Sequence, residues 1–167
     1  MKCRIQSWSP SGGQFHIQNI PGDKSITHRI VILSSLAESD MTIHNALCAQ
    51  DCLHTMDIMV QLGVSMDPLP LSIQSASSSF SIFGVGLTGL LSSNTILNVG
   101  NSGTGIRLLI GVLAAQPFSS TLTGDESICQ RPMKRVIDPL TQMGACILGQ
   151  EREGDLVAPI SIQGGVS

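Results

Sequence analysis

The sequence repeats one pattern, and this repeat constrains the fold more than any other feature. The segment GDKSITHRIVIL, which begins at Gly22, aligns with GNSGTGIRLLIG, which begins at Gly100, at a shift of 78 residues. The segment MDIMVQLGV, from Met56, aligns with IDPLTQMGA, from Ile137, at a shift of 81 residues. Small residues match easily by chance, but two matches at nearly one period indicate that one structural unit is used twice.

Hydrophobic patterning predicts the order strand, helix, strand, helix, strand in each copy. The predicted helices are Ser25–Ala37, Asp51–Leu62, Thr104–Ala115 and Pro132–Met143. The predicted strands are FHIQNI (Phe15–Ile20), MTIHNA, GVSM, SSFSIFG, TILNVG and STLTGD. The polar tail 150–167 is assigned no element. This order predicts an α/β fold of two units, at approximately 15–93 and 94–167.

Polar and special residues mark the expected helix ends. Asp23 or Ser25 is expected to cap the first helix, and Asp51 to cap the second. Gly63 is expected to end the second helix, whose methionines should fill the core. Pro139 is expected to kink or shorten the fourth helix.

Composition excludes several classes of protein. Hydrophobic residues make up 42% and charged residues 13% of the chain, which is not typical of disorder. The net charge of -3, with four Phe, one Trp and no Tyr, gives no general reason to expect nucleic-acid binding. No apolar run reaches the roughly 18 residues that a membrane span needs. The first residues, MKCRIQSWSPSGG, are too polar for a secretory signal.

The five cysteines do not form a disulfide framework, because their number is odd and their spacing irregular. We therefore expect free thiols and a cytoplasmic protein. A zinc site could involve Cys48, Cys52, His44 and His54, but no second Cys or His pair completes four ligands.

The turns that open the helices are suited to anions. In both copies a strand ends in a Gly-led turn, and the next helix carries Arg29 or Arg107 one turn inside. The first turn of a helix has unpaired amides and a positive dipole end. Lys24 and a third basic turn, GDESICQRPMKR, add positive charge. Simple capping with solvated side chains is the alternative, but the repetition favours an anionic substrate.

These motifs resemble the N-terminal part of the 5-enolpyruvylshikimate-3-phosphate synthase family. The matching segments are PGDKSITHR, GVGLTGLL, NVGNSGTGIRLL and LTGDESICQRPMKRVIDPLTQMGA, in family order and spacing, over most of Phe15–Ala145. The related UDP-N-acetylglucosamine enolpyruvyl transferases resemble the chain less. They use a Lys-Asn pair where this chain has Lys24-Ser25.

The resemblance implies a transferase of aromatic amino-acid biosynthesis. Family members move the enolpyruvyl group of phosphoenolpyruvate onto the 5-hydroxyl of shikimate 3-phosphate, with no metal or organic cofactor. The implied fold is an inside-out α/β barrel of βαβαββ-type units, with helix N-termini aimed at a cleft. The implied partners are the two small substrates, with no nucleic acid or membrane, in a monomeric parent enzyme.

The resemblance also assigns binding residues by motif position. Shikimate 3-phosphate would be bound by Lys24, Ser25 and Arg29. Phosphoenolpyruvate would be bound by Lys24, Asn101, Gly103 and Arg131. A glycine at position 103 predicts a parent enzyme that is inhibited by glyphosate, which competes with phosphoenolpyruvate for its binding site.

Family enzymes are more than twice as long as these 167 residues. The resemblance therefore implies an incomplete N-terminal lobe that lacks the acid/base residues, so no catalytic residue is assigned and the isolated chain is expected to be inactive. Asp23 is interpreted as a turn residue and His28 as a packing or hydrogen-bonding residue. The other interpretations are an anion-binding half-lobe and a remnant without catalysis.

Overall fold

The computed structural model describes residues 22–70 and 77–164, which form four α-helices and seven strands. The helices are α1 (Lys24–Ser35), α2 (Gln50–Gln61), α3 (Gly103–Ala114) and α4 (Lys134–Gln142). The strands are β1 (Met41–Leu47), β2 (Ser65–Asp67), β3 (Ser77–Phe83), β4 (Leu97–Asn98), β5 (Ser120–Thr123), β6 (Cys146–Arg152) and β7 (Asp155–Gln163). The predicted strand Phe15–Ile20 lies outside the described residues.

The strands form two sheets with related topology. One sheet has the order β1-β3-β2 and is antiparallel throughout. The other has the order β4-β5-β7-β6, in which β4 and β5 are parallel and the remaining pairs antiparallel. The order β5-β7-β6 repeats β1-β3-β2 for the corresponding strands.

All four predicted helices are present, and only α4 begins clearly later than expected. The amide of Met133 donates to the carbonyl of Leu156 at 2.8 Å, which ties the segment before α4 to β7. The helix therefore begins at Lys134 rather than Pro132. Pro139 lies inside α4, which continues to Gln142, so the proline does not end the helix.

The cap of α1 is confirmed, and the predicted cap of α2 is wrong. Asp23 Oδ1 accepts the amide of Ile26 at 2.8 Å, one turn into α1. The N-cap of α2 is Ala49, which has no side-chain hydrogen bond, and Asp51 lies within the first turn. The carboxylate of Asp51 binds a lysine instead, as described below.

Glycines end α2 and α4 in the same way. Gly63 and Gly144 follow the last turns with φ values of 93° and 101°. This left-handed conformation strongly favours glycine at the end of a helix. The predicted end of α2 at Gly63 is confirmed.

The hairpin of β6 and β7 was not predicted from the polar tail. In β7, Ile160 and Ile162 are buried while Ser161 and Gln163 are exposed. The strand lies between β5 and β6, so its amides and apolar side chains find partners distant in sequence. A local pattern could not reveal those partners.

One hydrophobic cluster joins both sheets and all four helices. The methionines of α2 belong to it as predicted, since Met56 and Met59 are fully buried. Within the described residues no helix exceeds 12 residues, and none is long and apolar enough to cross a membrane.

Truncating a leucine in this cluster should destabilise the chain much more than truncating an exposed one. Leu109 in α3 is 0% exposed and Leu33 in α1 is 63% exposed. Leu109→Ala should lower the free energy of unfolding by about 2–5 kcal/mol, because it leaves a cavity. Leu33→Ala is the matched control, and urea denaturation measures both. Equal losses would contradict the observed packing.

Candidate functional site

The first turns of α1 and α2 are joined by an ion pair. Lys24, the first residue of α1, donates from Nζ to Oδ2 of Asp51 at 2.7 Å. The two side chains are 48% and 24% exposed, so the pair contributes little stability by itself. It places the lysine ammonium beside the beginnings of both helices.

One turn further along, a buried hydrogen bond runs parallel to this ion pair. His28 Nδ1 lies 2.8 Å from Oγ1 of Thr55, four residues after Asp51. His28 Nε2 lies 3.3 Å from Oγ of Ser102, the N-cap of α3. The imidazole therefore contacts α1, α2 and the start of α3, which confirms its interpretation as a hydrogen-bonding residue.

Burial keeps the side chains of His28 and Cys52 uncharged at neutral pH. Desolvation lowers the pKa of His28 below its ordinary value of 6.5, although the nearby Asp51 carboxylate opposes the shift. Burial also raises the pKa of the Cys52 thiol to about 11. At neutral pH the imidazole and the thiol are both uncharged. The positive charge at the beginning of α1 therefore comes from Lys24 and Arg29.

The two repeated arginines fold back over their own helix starts. Arg29 Nη1 donates to the carbonyl of Ser25 at 3.0 Å in α1. Arg107 Nη1 donates to the carbonyl of Gly103 at 3.3 Å in α3. Each guanidinium therefore lies at the positive end of its helix, the position that the sequence repeat predicts.

Gly103 lies directly beneath two guanidinium groups. It is buried at the first position of α3. A Cβ atom added there would lie 2.6 Å from Arg131 Nη1 and 3.5 Å from Arg107 Nη1. A side chain at this position would require the Arg131 guanidinium to move away from the helix start.

A chain of short hydrogen bonds directs Arg131 toward Gly103. Arg131 Nη2 donates to Oδ1 of Asn101 at 2.6 Å, and Asn101 Nδ2 donates to Oδ2 of Asp125 at 2.6 Å. Asp125 Oδ1 accepts the amide of Ile128 at 2.9 Å, and this bond is the main cause of the lowered pKa of Asp125. The carboxylate is thereby held in place and orients the asparagine.

The predicted helix Pro132–Met143 would place Arg131 at a helix N-terminal turn, and the structure corrects this location. This residue follows a short 3-10 helix, Ile128–Gln130, and precedes α4, rather than lying in a helix N-terminal turn. Its side chain reaches the start of α3. The role of Asp125 was missed, although an aspartate three residues before Ile128 is a recognisable capping signal.

The predicted residues therefore form two neighbouring groups. Asn101, Gly103 and Arg131 contact one another at the start of α3. Lys24, Ser25 and Arg29 share the first two turns of α1. The buried contact between His28 and Ser102 connects the groups. Both groups place cationic side chains at the positive end of a helix, where an anion is favoured. In residues 22–70 and 77–164, no three His, Cys, Asp or Glu side chains are grouped to hold a metal ion.

The buried histidine should make stability depend on pH. The unfolded chain takes up a proton near pH 6.5, whereas folded His28 does so only at lower pH. The free energy of unfolding should therefore fall as the pH drops below 6.5, by at most about 1.4 kcal/mol per pH unit, and level off below the folded pKa. Urea denaturation between pH 7.5 and about 5 should show a steeper decline for the natural chain than for His28→Gln. Parallel declines would contradict this assignment.

Comparison with known proteins gives consistent matches. The family model for EPSP synthase (3-phosphoshikimate 1-carboxyvinyltransferase) matches residues 14–167. The 3-phosphoshikimate 1-carboxyvinyltransferase of Bacillus velezensis is 47% identical over 153 residues, which cover 92% of this chain and 33% of the relative. The enzyme of the same name from Bacillus subtilis is 46% identical over 152 residues, which cover 91% and 33%.

Solved structures agree with the sequence matches. Two structures of EPSP synthase from Acinetobacter baumannii superpose with a TM-score of 0.78 at 39% identity, over 87% of this chain and 31% of theirs. The chain spans about a third of the length of the curated relatives it matches. By sequence and by fold, this chain belongs to the EPSP synthase family.

Proposed function

We propose that this chain supplies part of the substrate cleft of a 3-phosphoshikimate 1-carboxyvinyltransferase. This activity transfers the enolpyruvyl group of phosphoenolpyruvate to the 5-hydroxyl of shikimate 3-phosphate and releases phosphate. The observation that carries the proposal is the pair of guanidinium groups at Gly103, where Arg107 and Arg131 lie close to the backbone of a helix start.

The group at the start of α3 is proposed to bind phosphoenolpyruvate. The ligand carries a phosphate and a carboxylate, and the guanidinium of Arg131 can bind either through two parallel hydrogen bonds. Asn101 already holds this guanidinium at 2.6 Å, so binding would cost little additional side-chain entropy. Gly103 permits the small ligand to approach the backbone.

The group at the start of α1 is proposed to bind shikimate 3-phosphate through Lys24, Ser25 and Arg29. The ammonium of Lys24 has three donors, and one of them is used by Asp51. The remaining donors can contact an anion while the ion pair persists. A lysine at this position can therefore contact both ligands, which supports its assignment to both.

Positioning is the main catalytic contribution proposed for these residues. The two substrates are anions that repel each other. The positive ends of α1 and α3 and the cationic side chains of Lys24, Arg29, Arg107 and Arg131 would offset that repulsion. Holding the 5-hydroxyl against the enolpyruvyl carbon removes most of the entropic barrier. No proton-transfer role is proposed for any described residue.

We also propose that the chain consists of two copies of one unit, at approximately 15–93 and 94–167. The shared sheet order, the positive-φ glycines after α2 and α4, and the two arginines that fold back over their helices support this division.

Kinetics of a chimeric enzyme would test the function. In the chimera, this chain replaces the matching third of the Bacillus subtilis relative, and phosphate release is measured with both substrates. Lys24→Met should raise both Michaelis constants and lower turnover, while Arg131→Ala should raise mainly the constant for phosphoenolpyruvate. Each effect should be about ten- to a hundredfold, because a charge-assisted bond is lost.

Matched controls come from α4. Lys134→Met changes another lysine at the first position of a helix, and Arg135→Ala changes an exposed arginine. Both should leave the constants nearly unchanged, and the isolated 167-residue chain should release no phosphate. If Arg131→Ala raised only the constant for shikimate 3-phosphate, the assignment of this arginine would be wrong.

A methyl group at Gly103 should narrow the phosphoenolpyruvate subsite. The new Cβ would lie 2.6 Å from Arg131 Nη1, so the guanidinium must move. Gly103→Ala should raise the Michaelis constant for phosphoenolpyruvate and weaken inhibition by the longer glyphosate even more. Gly111→Ala, in the same helix, is the control, because its Cβ would meet no atom within 4 Å. Equal inhibition of both variants by glyphosate would contradict the prediction.

A further inference from the structure

We propose that His28 is a positioning residue for the phosphoenolpyruvate subsite, acting through Ser102, the N-cap of α3. This inference rests on the proposed function. His28 itself is fully buried, and no role in contacting a ligand is assigned to it. Its effect on binding would arise from the helix start on which Gly103 lies.

We assign the proton of the neutral His28 ring to Nδ1. Ser102 Oγ accepts the amide of Gly105 at 3.0 Å, which leaves its hydroxyl proton available to donate. Neutral His28 can accept that proton at Nε2, 3.3 Å away, and can donate from Nδ1 to Thr55 at 2.8 Å. This assignment gives each ring nitrogen one partner and uses the hydroxyl of Ser102 as both donor and acceptor.

The surroundings leave the serine hydroxyl little freedom to turn elsewhere. His28, Thr55 and Ser102 are 0%, 1% and 0% exposed, so water does not compete for their hydrogen bonds. A Cβ on Gly105 would lie 2.8 Å from Ser102 Oγ and 3.1 Å from Thr55 Oγ1. The helix start is therefore packed against both hydroxyls, and a displaced Ser102 would displace the first turn of α3.

The same network connects the two proposed subsites. Lys24 and His28 are four residues apart in α1 and so lie on one face of the helix. Their partners Asp51 and Thr55 have the same spacing in α2. Of these four residues, only His28 forms a hydrogen bond with Ser102, which directly precedes Gly103. The histidine therefore sets the start of α3 relative to the lysine that is proposed to contact both ligands.

Two substitutions separate positioning from packing. The amide end of glutamine reaches the position of Nε2, whereas the shorter asparagine reaches only that of Nδ1. His28→Gln therefore keeps a partner for Ser102, and His28→Asn keeps a partner only for Thr55. Both variants lose the ring, so a purely structural role predicts similar losses of function from both.

The experiment uses the 167-residue chain and phosphoenolpyruvate as the probe, with binding followed by amide chemical shifts in NMR spectra. His28→Asn should weaken binding about fivefold, the value of one lost hydrogen bond, and should speed hydrogen exchange at the Gly105 amide. His28→Gln should remain within about twofold of the natural chain. In the natural chain, nitrogen-15 spectra should show the proton of the His28 ring on Nδ1.

The outcomes distinguish this inference from the proposed function. If the natural chain bound phosphoenolpyruvate and His28→Asn and His28→Gln bound it with equal affinity, the positioning role would be wrong. The proposed subsite would not be affected by that result. A ring proton on Nε2 would also count against the assigned donor pattern. If the natural chain showed no shifts with phosphoenolpyruvate, the proposed subsite would fail, and the positioning role would fall with it.

Discussion

A buried, neutral histidine joins the starts of α1 and α3 to α2, and the first two turns of α1 and α3 carry the cationic side chains of Lys24, Arg29 and Arg107. His28 binds Thr55 and Ser102 in the interior, while Lys24 binds Asp51 one turn closer to solvent. Desolvation lowers the pKa of the imidazole, so this junction adds no charge beneath the lysine. The buried contacts of His28 are therefore uncharged, and the charged pair of Lys24 and Asp51 lies nearer to solvent.

The two proposed subsites hold their cations by different means. Arg131 is restrained by the amide of Asn101, which is itself restrained by Asp125, so its direction is established before any ligand arrives. Lys24 is held by one carboxylate, that of Asp51; the lysine side chain is itself half-exposed, so its ammonium can turn between partners. A planar guanidinium in a fixed direction suits a small ligand with defined geometry, whereas a mobile point charge suits contact with two ligands.

The two aligned segments that begin at Gly22 and Gly100 differ at their helix starts. Asp23 caps α1, whereas the aligned residue Asn101 binds Arg131, and the next residue, Ser102, caps α3. In the alignment of the two segments, α3 therefore begins one residue later than α1 does. In the first copy a lysine side chain occupies the helix start, and in the second copy a glycine leaves the backbone open.

The sequence by itself determined the four helices, the glycine that ends α2, the buried methionines and the basic side chains near the starts of α1 and α3. These features depend on hydrophobic period and backbone conformation, which neighbouring residues decide. Only the tertiary structure decided that Asp51 pairs with Lys24, that β7 lies between β5 and β6, and that Arg131 extends to α3 rather than joining α4. Each of these depends on partners far apart in the chain, and a local pattern carries no information about which distant group will complete a hydrogen bond or cover an apolar face.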